Sequence, residues 1–183
     1  MYLLASQLKS FAIISLQTGA SLADVTDLVI SRDKLEVLAY RCEGGELASK
    51  TSVLLTRDIR QYAQGCLIVD TANDISDVDD IVRLRESLEQ NFHLMGLAVI
   101  TESKRKLGKV QDYSINIQTN MVQRLDVKQP LFRNFLVESL SIDRQDILDI
   151  TAKYIVVRDA SVKAAQPSVV PVTPTVHDRL DKI

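Results

Sequence analysis

Leu22-Ala-Asp-Val25-Thr-Asp27-Leu-Val-Ile30 is met again as Leu107-Gly-Lys-Val110-Gln-Asp112-Tyr-Ser-Ile115, a shift of 107 − 22 = 85 residues. Working outward, Leu8 to Ser15 returns as Leu94 to Thr101, shifted by 86. Asp58-Ile59 through Leu67-Ile-Val69 returns as Asp146-Ile147 through Ile155-Val-Val157, shifted by 88. Offsets that drift by one to three residues are what loop-length differences between two copies of a fold produce. Solenoid repeats are shorter, so a period near 85 predicts two small domains in tandem.

Each copy reads as short strands separated by turns. In the first, 11–16, 22–30, 35–42, 52–55 and 66–69 are apolar and rich in β-branched residues, and Gly19 and Gly44-Gly45 mark turns. Thr56–Tyr62 reads as a helical turn capped by Thr56, with Ile59 and Tyr62 on one face. The second copy repeats the order at 97–102, 107–117, 121–128, 134–140, a helical turn at 143–150, and 154–158. Short strands without βαβ spacing predict an all-β fold of two small barrels. Leu22, Val25, Ile30, Val37, Leu55, Ile59 and Val69 are the expected core of one. Leu107, Val110, Ile115, Val122, Leu140, Ile147 and Val157 are their expected counterparts.

In both copies the second strand breaks parity. Leu28 and Ile30 alternate, as do Tyr113, Ile115 and Ile117, but Val25 and Val110 fall on the wrong beat. Two residues that both need burial on either side of such a slip predict a β-bulge. Asp27 and Asp112 sit at the slip, where a carboxylate can accept the N–H groups a bulge leaves unpaired. A catalytic or metal-binding carboxylate is the alternative, and neither has a partner nearby in sequence.

Between the copies, Ser76-x-x-Asp79 caps a stripe of Ile81, Leu84 and Leu88, predicting a short amphipathic helix over 76–91 that orients the two units. The domains are then 6–70 and 92–159. Residues 160–183, with Pro167, Pro171 and Pro174, read as a flexible, polyproline-prone tail.

Hydrophobic content of 46% and charged content of 25% place the chain among ordinary globular proteins. No apolar run reaches the length of a membrane span and no signal peptide is evident, so a cytoplasmic protein is expected. Cys42 and Cys66 lack a C-x-x-C spacing and read as reduced thiols. Net charge is −2, and of the two copies only the second, over 92–160, leans basic, so the broad surplus of a nucleic-acid binder is missing. Its one basic cluster is Lys104, Arg105, Lys106 and Lys109 at a tight hairpin. Such lysines serve as solvated turn residues and edge guards, or contact phosphate.

The run Leu107-Gly108-Lys109-Val110-x-Asp112-x-x-Ile115, preceded by Leu94-x-Gly96-x-Ala98-Val99 and closed by Ile147…Tyr154-Ile155-Val156-Val157, resembles the PRC-barrel domain family. Ala23 replaces the motif glycine in the first copy. That family includes the cytoplasmic barrel of the photosynthetic reaction-centre H subunit and the C-terminal domain of the ribosome maturation factor RimM. The resemblance implies a β-barrel that docks to proteins or ribonucleoprotein and has no enzymatic activity. The residues are consistent with that: there is no phosphate loop, no nucleophile beside a base and no metal-ligand spacing, so no cofactor or metal is expected. The expected function is a non-enzymatic adaptor with a protein partner. The alternative is a ribosome- or RNA-associated factor using the basic hairpin.

Overall fold

The computed structural model describes residues 1–44, 52–78, 92–129 and 139–159. The expected tail at 160–183 and most of the expected helix over 76–91 lie outside the described residues. So do Gly45 and the first part of the strand expected at 134–140.

The first half contains β1 (Tyr2–Leu4), the single helical turn α1 (Ala5–Leu8), β2 (Ala12–Ser15), β3 (Ser21–Ser31), β4 (Glu36–Glu43), β5 (Ser52–Leu55), β6 (Gln61–Ala63), β7 (Cys66–Val69) and β8 (Ile75–Asp77). The second contains β9 (Ala98–Thr101), β10 (Lys106–Asn116), β11 (Met121–Lys128), β12 (Ser139–Asp143), β13 (Ile147–Ile150) and β14 (Tyr154–Val157). The two helical turns expected at 56–62 and 143–150 are each shorter. Three-residue 3-10 turns at Thr56–Asp58 and Arg144–Asp146 lead directly into β6 and β13. Thr56 does not cap; its hydroxyl donates to the Leu38 carbonyl at 3.2 Å. Ser76, the expected helix cap, is instead a strand residue opposite Val53.

Strand pairing follows one pattern twice. β2 runs antiparallel to β3 and parallel to β7, so Ala12 lies opposite both Asp24 and Cys66. β9 runs antiparallel to β10 and parallel to β14, so Ala98 lies opposite both Lys109 and Tyr154. Register breaks fall between Val25 and Asp27 and between Val29 and Ile30 in one half. In the other they fall between Val110 and Asp112 and between Ser114 and Ile115. The parity slips in the sequence are thus bulges in the structure.

The described strands are not divided between two separate sheets. Hydrogen bonding links all fourteen strands into one sheet, along the path β13-β14-β9-β10-β11-β4-β3-β2-β7-β6. The halves meet where Met121 of β11 bridges Glu36 of β4, flanked by Val37 N–H to Asn120 O at 2.8 Å and Val122 N–H to Leu35 O at 2.9 Å. No pairing among the described residues joins the two ends of the path, so the sheet is not closed. β1 belongs with the second half, pairing Tyr2, Leu3 and Leu4 with Asn116, Ile115 and Ser114 of β10. One apolar cluster runs through both halves, from Ala5 and Leu8 to Ile155 and Val157. The physical reason is size: units of about 65 residues bury too little surface to stand apart comfortably, and merging their cores removes more apolar area from water.

Within that core, Val25, Ile30, Val37, Val69, Leu107, Val110, Ile115, Val122, Leu140 and Val157 are buried, whereas Leu22, Leu55, Ile59 and Ile147 are only partly so. Leu54, not Leu55, faces the main core. Its register partner Tyr40 makes it the equivalent of Ile142 opposite Leu125.

Two residues test why β10 has its shape. Gly108 has φ +150°, and a Cβ there would stand 2.1 Å from the Lys128 carbonyl oxygen. Gly108→Ala should therefore destabilise by about 1–3 kcal/mol, read as a lower urea midpoint at unchanged m-value. Asp112 accepts from its neighbour Tyr113 N–H at 2.8 Å and from Ser6 N–H at 3.2 Å and Ser6 Oγ at 2.5 Å. Asp112→Ala should cost about 1–3 kcal/mol in the same assay, because it strands amides at the bulge. An unchanged midpoint would show that water satisfies those amides equally well.

Candidate docking groove

β9, β10 and β14 present one edge of the second half as a groove of about 880 Å³. Its floor is apolar, built from Ala98, Val99, Ile100 and Tyr154, with Gly108 letting the chains close up beneath it. Its rim is five lysines: Lys104, Lys106, Lys109, Lys128 and Lys153. All five are exposed, and none of their ammonium groups is ion-paired among the described residues.

Local structure explains which basic residues arrive there. The hairpin between β9 and β10 turns at Lys104, which has φ +64°. It is held by Thr101 N–H to Arg105 O at 2.9 Å and by Arg105 N–H to Thr101 Oγ1 at 3.2 Å. Alternation then sends Lys104 and Lys106 to the groove, while Arg105 leaves the lining. Arg105 faces Asp159 instead, whose carboxyl is held below the usual range mainly by the hydroxyls of Ser103 and Thr101 and also by the Arg105 charge. Three of the four basic residues expected from the hairpin therefore line the groove. Lys128 and Lys153 were not foreseen, because they come from β11 and the loop before β14. The pairing of Lys109 with Lys128 brings the first alongside, and the pairing of β14 with β9 brings the second.

The motif residues have structural surroundings. Val25, Leu107 and Val110 are core side chains, and Leu22 packs on the core edge. Asp27 accepts Leu28 N–H at 2.9 Å, pairs with Lys9 Nζ at 2.8 Å, and has His93 Nδ1 3.6 Å away. Ser6, at the start of the first unit, thus docks on the second half's bulge, and His93, at the start of the second, reaches the first half's bulge. Both carboxylates also lie near the buried Tyr113, whose hydroxyl is raised first by burial and then by their charge. Tyr40 and Tyr62 share a hydrogen bond at 3.2 Å, and the Tyr62 hydroxyl lies 3.2 Å from Asn120 Oδ1 across the junction.

The other large depression, about 940 Å³ beside β1, β11 and β12, holds charges of both signs. Arg124 pairs with Asp143 at 3.0 Å, and Arg144 donates to the carbonyls of Val122 and Lys34. Burial pushes the Cys42 thiol up to about 11, so it stays protonated at neutral pH; Cys66 is also a free thiol. No group of three or more potential metal ligands occurs among the described residues. Among them, too, no helix is long and apolar enough to cross a membrane.

Residues 93–163 match the family model of the PRC-barrel domain. The match falls on the half that holds β9 to β14, and modules of that family are often found in protein-interaction or assembly roles. No curated protein matches the chain.

Lys109 and Lys128 stand directly opposite each other across β10 and β11, and like charges in that relation oppose pairing. Lys128→Glu should therefore stabilise the fold by about 0.2–1 kcal/mol at low salt, seen as a higher melting temperature that salt erases. A lower melting temperature would show that the two ammonium groups already point apart at no cost.

Proposed function

We propose that the chain is a non-catalytic docking protein made of two PRC-type units. In this reading its lysine-rimmed groove takes an acidic segment of a protein partner. The groove carries the proposal: five uncompensated ammonium groups surround a floor of Ala98, Ile100 and Tyr154, a combination suited to carboxylates flanking one or two apolar side chains. The repeated pairing of β2, β3 and β7 by β9, β10 and β14 supports a duplicated PRC unit. The non-catalytic part rests on how the reactive groups are used. Both bulge carboxylates hold backbone amides, and the Cys42 thiol is protonated at neutral pH. A single aromatic side chain at the floor offers little stacking for bases, which favours a protein over RNA.

Affinity capture from a nuclease-treated extract with the full chain tests this. Binding should survive nuclease, weaken as salt rises from about 0.1 to 1 M, and fall with Lys104→Glu/Lys106→Glu/Lys109→Glu. Loss of all capture after nuclease alone would assign the groove to a ribonucleoprotein.

A further inference from the structure

Two of the groove's rim positions have counterparts of opposite charge in the first half. Subtracting the 85-residue offset takes Lys109 to Asp24 and Lys128 to Glu43, and the registers agree: Lys109 faces Lys128, and Asp24 faces Glu43. Two floor positions are kept, while Cys66 stands where Tyr154 does. Ala12 and Ile14 on β2 stand where Ala98 and Ile100 stand on β9, and all four are half-buried. Asp24 and Glu43 are exposed and, like the lysines, carry no ion pair among the described residues.

From this we propose that the chain associates with itself head to tail. The lysine-rimmed groove of one molecule receives the acidic sheet face at Asp24 and Glu43 of the next. The proposal rests on the docking reading and names a second copy of this chain as the partner. Each face places like charges opposite each other across a strand pair, which costs the isolated molecule stability on both sides. Bringing the faces together relieves both repulsions at once and sets apolar floor against apolar floor. Because the two faces differ, the contact is heterologous, and it propagates into a ring or a filament. Complementary fields of this kind also raise the association rate and make it salt-dependent.

Sedimentation velocity of the full chain over a range of concentrations, at low and high salt, is the test. The wild type should grow in size with concentration at low salt and return to monomer at high salt. Asp24→Lys/Glu43→Lys and Lys109→Glu/Lys128→Glu should each associate at least tenfold more weakly, with unchanged circular dichroism. The equimolar mixture should recover association, since the first variant keeps the basic groove and the second keeps the acidic face. A wild type that stays monomeric at low salt, or variants that associate as well as it does, would overturn the proposal. The capture experiment reads partner binding at the groove separately, so losing self-association there would not remove the docking reading.

Discussion

The constraint on which the rest of this structure depends is the bulge at Asp27 and Asp112. A strand of eleven residues, as β3 and β10 each are, cannot serve two neighbours at different angles without bending. The extra residue at each slip supplies the bend and leaves amides that need an acceptor. A carboxylate bound to the next residue's N–H provides it, and the same carboxylate holds a second group besides. In the second half that is Ser6, and in the first it is the ion pair with Lys9 and the nearby His93. The bulge thus bends the strand and also fastens the segments that lead into the two repeats. Tyr113, buried close to both carboxylates, marks where the two devices approach each other.

Fusion of the two units follows from the same geometry. The bends bring the beginnings of β4 and β11 side by side, and the Met121–Glu36 bridge with its two flanking hydrogen bonds joins them. β1 then pairs with the second half, although it precedes the first in the chain. The apolar cluster shared by the two halves couples them.

Much of this was legible in the sequence because it is local. β5, β7 and β11 begin and end where their apolar patterns do, and the bulges appear as breaks in parity. What escaped was non-local or ambiguous over short spans. Ile59 and Tyr62 are spaced as on a helix, yet the turn before them lasts three residues and Tyr62 lies in a strand against Tyr40. The strand pairing of Leu3 with Ile115 leaves no mark in the order of residues between them. In the groove, the hairpin lysines were visible as a cluster, but Lys128 and Lys153 join them only through the pairings of β10 with β11 and β9 with β14. The turn of the hairpin takes Arg105 out of the groove lining, a separation that a count of basic residues does not make.

The two halves also show which positions the fold dictates and which it leaves open. Core positions keep their character under the repeat offset: Val25 answers to Val110, Ile30 to Ile115, Val37 to Val122 and Val69 to Val157, all buried. A reversal of charge falls on exposed positions, where Asp24 and Glu43 answer to Lys109 and Lys128. Packing cannot account for that reversal, because these side chains point to solvent. Stability does not favour it either, since each half sets two like charges against each other across a strand pair. A surface that costs the fold something in both halves, with opposite sign, is best understood as shaped by what it meets outside the molecule.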